Sequence, residues 1–410
     1  MEVAIIGAGV GGLTAALAIH HQDIDCRVRV YESAREIRPL GVGINLLPHC
    51  GRELTELGLV DALRRVAVEP KEFGWFTHHG QLIHTEPCGL RAGYAYPHFS
   101  VHRGDLQMVL YEAVRQRLGD DCVVTGHRCT GVEEDGVTLH FDGQPSRKAD
   151  LAIAADGINS VIRRQFYPDE GLPVFSKVNI WRGVTKGKPY LSGGTICRIG
   201  GIFTTNKAVV YPIRNDIDGK GTQLINWAVE VYTEQQGPVD WNKPGRLADF
   251  HHHFADWHFD WLDVAKLMQD SEFLLTYPMV DRDPIPRWVF GKPSGRVGLL
   301  GDAAHPMYPR GGNGGAQAIL DAVAFARHLK NGGEVMKAYE TERVPLANKV
   351  VLQSRNAPPD VIIDEVERRT GGKKFKSIDD VISKEEMLKV LDKYKQVSGS
   401  DLDSVGRAAR

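Results

Sequence analysis

The sequence predicts an α/β chain (α+β overall) with a Rossmann-like domain, a second domain on a largely antiparallel sheet, and C-terminal helices. Three observations carry that expectation. The first residues read strand, Gly-x-Gly-x-x-Gly, helix, strand: MEVAIIGAGVGGLTAALAIHHQDIDCRVRVYE. A second dense motif, RVGLLGDAAHPMYPRGGNGGAQAILDAVAFARHL, again joins an apolar strand, a strand-end carboxylate and a Gly-rich turn into a helix. Between them, from Val174 to about Met279, runs such as AVVYPIR and QLINWAVEVY alternate in polarity, as strands with one buried face do.

Taken in order, Val3 to Ile6 is expected as a buried strand, Leu13 to His20 as a helix, and Cys26 to Tyr31 as a second strand ending on Glu32. Gly7 permits a sharp turn, Gly9 lets the backbone approach a pyrophosphate, and Gly12 lets the helix pack on the sheet. The helix N-terminus, through Val10 and Gly11, turns free N–H groups to the phosphates. Glu32 stands where a carboxylate accepts hydrogen bonds from an adenosine ribose, which favours a free 2′-OH over a phosphate.

Composition sets bounds. The 410 residues can bury a large core and hold more than one structural unit. Lys and Arg (50) nearly cancel Asp and Glu (52), which argues against a nucleic-acid surface. The six cysteines form no C-x-x-C pair, so neither a zinc site nor a disulfide framework is suggested. No apolar run reaches the ~18 residues of a membrane span, and the first residues lack a basic leader and cleavage site. A cytoplasmic setting is the expectation.

Ser33 to Pro48 is a Gly- and Pro-rich loop able to fold back over a nucleotide; Gly41 and Gly43 permit close approach, and Arg38 either meets a phosphate or solvates the loop. His49 to Val66 has the apolar spacing of one surface helix, and Phe73 to Pro97 that of strands broken by turns. In SVHRGDLQMVLYEAVRQRL a helix begins with Arg103, Asp105 and Gln107. An Arg and a Gln there can reach a diphosphate and polyol hydroxyls; plain capping by Asp105 is the alternative. Cys122–Thr125 and Gly136–Phe141 are expected as strands of a small sheet. In DLAIAADGINSVIRRQF a strand ends at Asp156-Gly157, and Ser160 can cap the next helix. That places a carboxylate at the carboxyl end of a strand, where open α/β sheets bind ligands.

The Val174–Met279 sheet should face the nucleotide fold and carry a pocket between the two domains. Arg246 to Met268 is expected as an aromatic helical segment. Its His251-His252-His253 run cannot converge on one ion from a helix, where consecutive side chains diverge by ~100°, so no metal site is assigned. In the second dense motif Val297 to Leu300 is a strand, Gly301-Asp302 closes it, and a helix opens near Gly315. An anionic, hydroxyl-bearing cofactor needs that combination, and a reduced flavin fits: the helix N-terminus stabilises its negative ring and Asp302 binds ribityl hydroxyls. Asp302 as a metal ligand or general base is the alternative.

Gly7-Ala8-Gly9-Val10-Gly11-Gly12 with Glu32, Arg103, Asp156-Gly157 and Gly301-Asp302 resembles the single-component FAD-dependent aromatic hydroxylases of the p-hydroxybenzoate hydroxylase type. The stretches IRPLGVGIN, HRGDLQM, WRGVT, DWN, YPMVDRDPIPRW and GDAAHPMYPRGGNGGAQAILD are most similar to its phenazine-tailoring members. The resemblance runs from residue 1 to about Asn356. It implies adenosine contacts at Gly9 and Glu32, phosphate or ribityl contacts at Arg103, a ribityl contact at Asp302, and backbone contacts to the flavin ring at Gly312, Asn313, Gly314, Gly315 and Ala316. Asp156-Gly157 resembles a signature serving both FAD and the nicotinamide nucleotide. The implied layout is a discontinuous FAD-binding domain (1–72, 98–173 and 280–356), a substrate-binding domain (73–97 and 174–279) and a C-terminal helical extension (357–410) without assigned function.

The reaction expected is hydroxylation of an aromatic substrate, polycyclic or phenazine-like and carboxylated, using NADH or NADPH and O2 through a flavin C4a-hydroperoxide. Tyr211 is the candidate for substrate orientation or else a core tyrosine; Arg182 could pair with a substrate carboxylate, and His305 could hydrogen-bond near the flavin, or both could be structural. The aromatic sheet around Tyr211 and Trp227 should line a flat apolar cavity. A flavin oxidase, dehydrogenase or halogenase on the same fold is the alternative, although the W-x-W-x-I-P stretch of halogenases is not found. A non-enzymatic FAD module is disfavoured by the presence of both substrate sheet and flavin loop. The expected partners are the aromatic substrate and O2, in a monomer or homodimer without nucleic acid or membrane.

Overall fold

Runs that are apolar throughout must be covered on both faces, and here they assemble into one sheet. In the computed structural model, which describes residues 1–133, 135, 137–237, 239–240, 243–291 and 295–408, its strand order is Val289–Phe290, Val297–Leu299, Leu151–Ala154, Glu2–Ile6, Arg27–Tyr31, Val123–Val124. All pairings are parallel except that of the Val289–Phe290 edge. Val3, Ile5, Ile153 and Leu299 are fully buried. The helices Val10–His21 and Gly314–Asn331 pack closely against one another. A Cβ on Gly11 would stand 2.5 Å from the Leu300 side chain and 3.3 Å from Ala318. The expected Rossmann-like layer is therefore present, with helix starts within a few residues of those predicted.

Several local expectations need correction. Val123–Val124 joins the parallel sheet beside Val30 and Tyr31, because its apolar side chains extend that core. The small antiparallel sheet consists instead of Cys129–Val132, Thr138–Phe141 and Gln144–Lys148. Gly136, and Trp241-Asn242 of the DWN stretch, lie outside the described residues. The single surface helix predicted over 49–66 is two helices, Pro48–Glu56 and Val60–Arg64. Gly58 breaks it at φ +67°, a conformation that glycine adopts without strain, and Leu54, Leu57 and Leu63 are buried.

The second sheet has seven strands in the order Phe273–Asp281, Val174–Gly187, Gln223–Tyr232, Lys207–Arg214, Thr195–Ile199, Glu72–Phe76, Leu82–Pro87. It is antiparallel apart from the pairing of Thr195–Ile199 with Glu72–Phe76. Successive residues of a strand point to opposite faces, so the two faces have different fates. Trp181 and Trp227 point outward into a cluster with Phe250, Phe254 and Trp257. Tyr211 pairs with Asn226, the neighbour of Trp227, and so points the other way, toward the parallel-sheet domain. Trp227 therefore does not share a cavity with Tyr211. Its indole N–H donates to Thr185 at 3.1 Å inside the outer cluster.

The segment over 246–268 is not one helix. It consists of short 3-10 turns (Leu247–Asp249, His251–Phe254), a two-strand turn and the helix Val264–Gln269, which Asp263 caps. The aromatic side chains that suggested a helix are instead plugs for the outer sheet face. His251 meets the Ala265 carbonyl at 3.1 Å, and the His252 and His253 rings lie 4.1 Å apart.

The C-terminal extension is docked. Ile362, Ile363 and Val366 of the helix Val361–Thr370, with Met387 and Leu391 of the helix Lys384–Ser398, pack against Trp75 and Ile83 of the sheet. Among the described residues no helix is long and apolar enough to cross a membrane.

Trp227→Ala should lower unfolding stability by ~3–5 kcal/mol, because it empties a fully buried indole site. Denaturant titration followed by circular dichroism measures this. A loss below ~1 kcal/mol would mean that the outer cluster collapses to fill the space.

Candidate active site

Parallel register sets the site. Ile6 pairs with both Ala154 and Tyr31, and Ala154 pairs with Leu299, so four neighbouring strands end at one level. Their ends carry Gly301-Asp302, Asp156-Gly157, Gly7 and Glu32 side by side on the carboxyl edge of the sheet. Gly7 turns at φ +101°, with its N–H on the Tyr31 carbonyl at 2.8 Å. A Cβ on Gly12 would overlap the Gly7 carbonyl oxygen, whereas one on Gly9 would meet nothing within 4 Å. Gly12 is thus a packing glycine and Gly9 borders open space. The Glu32 carboxylate accepts from the Ala8 N–H at 2.9 Å and the Ala34 N–H at 2.7 Å, and the Gln107 amide donates to the Ala8 carbonyl at 2.7 Å. Both side chains brace the Gly-rich turn.

Asp156 caps the helix Val161–Phe166 by accepting from the Val161 N–H at 3.0 Å, while its other carboxylate oxygen is buried without a partner. Burial raises its pKa. Ser160 adds the expected cap on the Arg163 N–H at 3.0 Å. Asp302 is solvent-exposed, yet the protein around it desolvates it and raises its pKa, with His305 and Arg103 opposing. A side chain on the floor of an open cleft shows that combination. Arg103 is likewise exposed at its helix start.

Two chain segments wall this cleft where it meets the second sheet. The strand Gly43–Leu46 faces the Gly-rich turn before the helix Gly314–Asn331. A Cβ on Gly315 would lie 2.8 Å from Ile44, and one on Gly312 would lie 3.9 Å from Asn45. The helix start leaves its first N–H groups without intrahelical partners. Behind Gly43 stands the inner sheet face: its N–H donates to Asn226 at 2.7 Å and its carbonyl accepts from Arg182 at 2.6 Å. A Cβ there would lie 2.8 Å from the Tyr211 ring. Arg182 also donates to the Tyr277 hydroxyl at 3.0 Å and bonds Tyr211. Burial pushes the Tyr211 phenol up to about 12, so it keeps its proton near neutrality.

Not every candidate joins this constellation. Arg38 is exposed and pairs with Glu36 at 2.6 Å, the loop-solvating arrangement. The Asn313 side chain turns away from the helix it precedes and meets the Tyr394 hydroxyl at 3.0 Å. His305 is buried beneath the cleft floor, not exposed in it. Its Nε2 lies 2.5 Å from Asp321, which also accepts from the Gly301 N–H at 3.0 Å and Arg343 at 2.7 Å. Burial raises the Asp321 pKa, but His305 and Arg343 overcome it and hold the carboxyl down to about 2. His305 thus anchors the Gly301 turn. Sequence reasoning missed Asn226, Tyr277 and Asp321. Asn226 and Asp321 are lone polar residues within apolar stretches, a signal for a buried hydrogen-bond partner.

An open groove over Gly9, a carboxylate on its floor, an orphaned Asp156 oxygen and two helix N-termini on one edge fit a flavin dinucleotide. Known proteins agree. The FAD binding domain family matches residues 1–192 and 292–354. A phenazine 1,6-dicarboxylic acid hydroxylase of Lysobacter antibioticus is 41% identical over 369 residues, 87% of this chain and 89% of that protein. A 6-hydroxynicotinate 3-monooxygenase of Pseudomonas fluorescens is 31% identical over 367 residues, 85% of this chain and 89% of that one. The fold is shared with Klebsiella pneumoniae HpxO complexed with FAD and uric acid, at TM-score 0.71 and 24% identity, with 99% of this chain and 94% of that one covered.

Asp302→Ala should lower retention of FAD by roughly 10-fold, the scale of a lost hydrogen bond to a charged group, without lowering unfolding stability. Flavin released on dilution, read by fluorescence, checks it. Unchanged affinity would leave Asp302 without a ligand role.

Proposed function

The chain belongs to the FAD binding domain family and is a flavin-dependent aromatic monooxygenase, and from that premise we propose that it hydroxylates a planar, polycyclic, carboxylated aromatic ring. NADH or NADPH is the reductant and O2 the oxygen source. The observation that carries the reading is the close approach of Gly43–Asn45 to the Gly312–Gly315 turn, beside an inner sheet face bearing Tyr211. The relative named for phenazine 1,6-dicarboxylic acid supports a ring system larger than one benzene.

Bound FAD supplies the electron transfer and oxygen activation that no side chain can. The residues divide the remaining work. Gly9, Val10, Gly11 and Gly12 would receive the pyrophosphate on backbone N–H groups, with Gly7 making the turn that presents them, and Glu32 would take the adenosine ribose. Arg103, Gln107 and Asp302 take phosphate and ribityl groups, with Asp156-Gly157 alongside. The N-terminus of the Gly314–Asn331 helix, with Gly312 to Ala316, would offer the flavin ring a positive dipole end suited to negative charge. Arg182 is a positioning residue. By holding the Gly43 carbonyl and the Tyr277 hydroxyl, it fixes the backbone that would lie against the ring. Tyr211 orients substrate with a protonated hydroxyl. The apolar neighbours of Tyr211, including Val42, Val184, Ile196 and Ile213, exclude water, which would divert activated oxygen to peroxide.

The test is a screen of aromatic acids for stimulated NADH or NADPH oxidation together with hydroxylated product. A carboxylated polycycle that stimulates oxidation and appears hydroxylated supports the reading; oxidation without any oxygenated product contradicts it. Tyr211→Ala should lower product formation by ~100-fold, the scale of a misplaced reacting atom. It should leave NADH oxidation running, with peroxide replacing product. A wild-type ratio of product to NADH consumed would make Tyr211 a core residue.

A further inference from the structure

A second space opens from the same inner face. Between the sheet, the start of the Pro48–Glu56 helix and the Lys384–Ser398 helix lies a pocket that opens to solvent. Phe73, Trp75, His98, Arg198 and Tyr394 line it, together with Gly311, the residue next to the flavin-ring loop. Tyr394 closes that end, donating to the Arg310 carbonyl at 3.2 Å. Phe73 packs against both the Tyr211 cluster and the Trp75 cluster, so the cavity and Tyr211 share one continuous face.

The lining is aromatic, yet it holds polar atoms with nothing to bond. Trp75 Nε1, both His98 ring nitrogens and Arg198 Nε are buried without hydrogen-bond partners. Their residues are 2%, 2% and 9% exposed. Such groups are costly to bury unpaired. The guanidinium lies over the Phe73 and Trp75 rings, at 5.2 and 5.9 Å.

Charge points the same way. Arg198 pairs with Asp360 at 2.5 Å, Asp360 with Lys207 at 2.6 Å, Lys207 with Glu230 at 2.8 Å, and Glu230 with Arg310 at 2.9 Å. This buried chain holds three cations and two carboxylates. The cavity's other charged pair, Lys395 with Glu86, is balanced. One positive charge is therefore left to be compensated in a low-dielectric interior. Arg182, on the same sheet face, also has a buried Nε without a partner, but it is held by the Gly43 carbonyl and the Tyr277 hydroxyl and does not line this cavity.

We propose that this cavity receives the ring of the substrate and that Arg198 binds its carboxylate. The inference rests on the monooxygenase reading above. It makes Arg198 the residue that selects carboxylated rings. It also makes the C-terminal extension a wall of the substrate site, since Asp360 holds Arg198 in place while Leu391 and Tyr394 face the ring.

The test titrates the holoenzyme with phenazine 1,6-dicarboxylate and with its uncharged diamide, reading the flavin absorbance change. Arg198→Gln should weaken dicarboxylate binding by about tenfold or more, the scale of a lost charge-assisted pair. Diamide affinity should stay within about twofold and FAD content should be unchanged. Equal losses for both ligands, or none for the dicarboxylate, overturn the assignment. If Arg198→Gln does not fold, a structure of the wild-type holoenzyme with the dicarboxylate decides. A carboxylate on Arg198 supports the proposal; one on Arg182, or a ring outside the cavity, overturns it. A wild-type enzyme that binds and hydroxylates neither ring overturns the polycyclic-substrate reading on which the proposal rests. Wild-type turnover with an unchanged KM in Arg198→Gln removes only the role of Arg198.

Discussion

Everything in the cleft depends on the register of four parallel strands. Because Ile6, Ala154, Leu299 and Tyr31 stand level, four short motifs scattered over some three hundred residues finish on one edge. A parallel sheet can do this because each strand is followed by a crossover that returns the chain to the same starting side. The carboxyl ends then gather where helices begin, and helix N-termini bring unpaired N–H groups to the same place. Moving one strand by one residue would displace a carboxylate or a turn from the groove and also bury the wrong side chains.

The second constraint is the contact between this edge and the seven-stranded sheet. It is made by small residues and buried polar groups more than by apolar bulk. Gly43 leaves no room for a side chain between Asn226 and Tyr211, and both of its backbone polar atoms are held by the sheet. Farther along the same face, Arg310, beside the Gly-rich turn at 311–315, reaches Glu230, and Lys207 continues the chain to Asp360 of the C-terminal extension. Burial raises the Asp360 pKa, but Arg198 and Lys207 hold it well below the usual carboxylate range. Breaking one link would strand a buried charge, which costs far more than an exposed ion pair contributes. The cleft, the sheet and the extension are thus tied together by groups that also border the ligand spaces.

Much of this was legible in the sequence because the relevant signals are local. The glycine spacing, Asp156-Gly157, Gly301-Asp302 and the alternation around Tyr211 each encode geometry within a few residues. What stayed hidden depends on partners far away in the chain. Tyr211 and Trp227 both read as pocket aromatics, but strand pairing sets them on opposite faces. The density of aromatic residues over 246–268 reflects a sheet face to be covered, not a helical stripe. His305 read as either a hydrogen-bond partner near the flavin or a structural residue, and Asp321, sixteen residues on, draws it inward. The extension carried helical pattern without any sign of where it docks. Arg198, Lys207 and Glu230, single charges in apolar strands, went unread for the same reason: their partners Asp360 and Arg310 lie far away in the chain.

The central claim is that this edge holds a flavin which, with the sheet behind it, inserts one atom of O2 into an aromatic ring. Turnover of the purified chain with phenazine 1,6-dicarboxylate and NADH or NADPH under isotopically labelled O2 tests it most directly. The account predicts a hydroxylated product carrying one labelled oxygen atom for each reduced nicotinamide consumed. Unlabelled product, or reductant consumed with all the label recovered as peroxide and water, would contradict it.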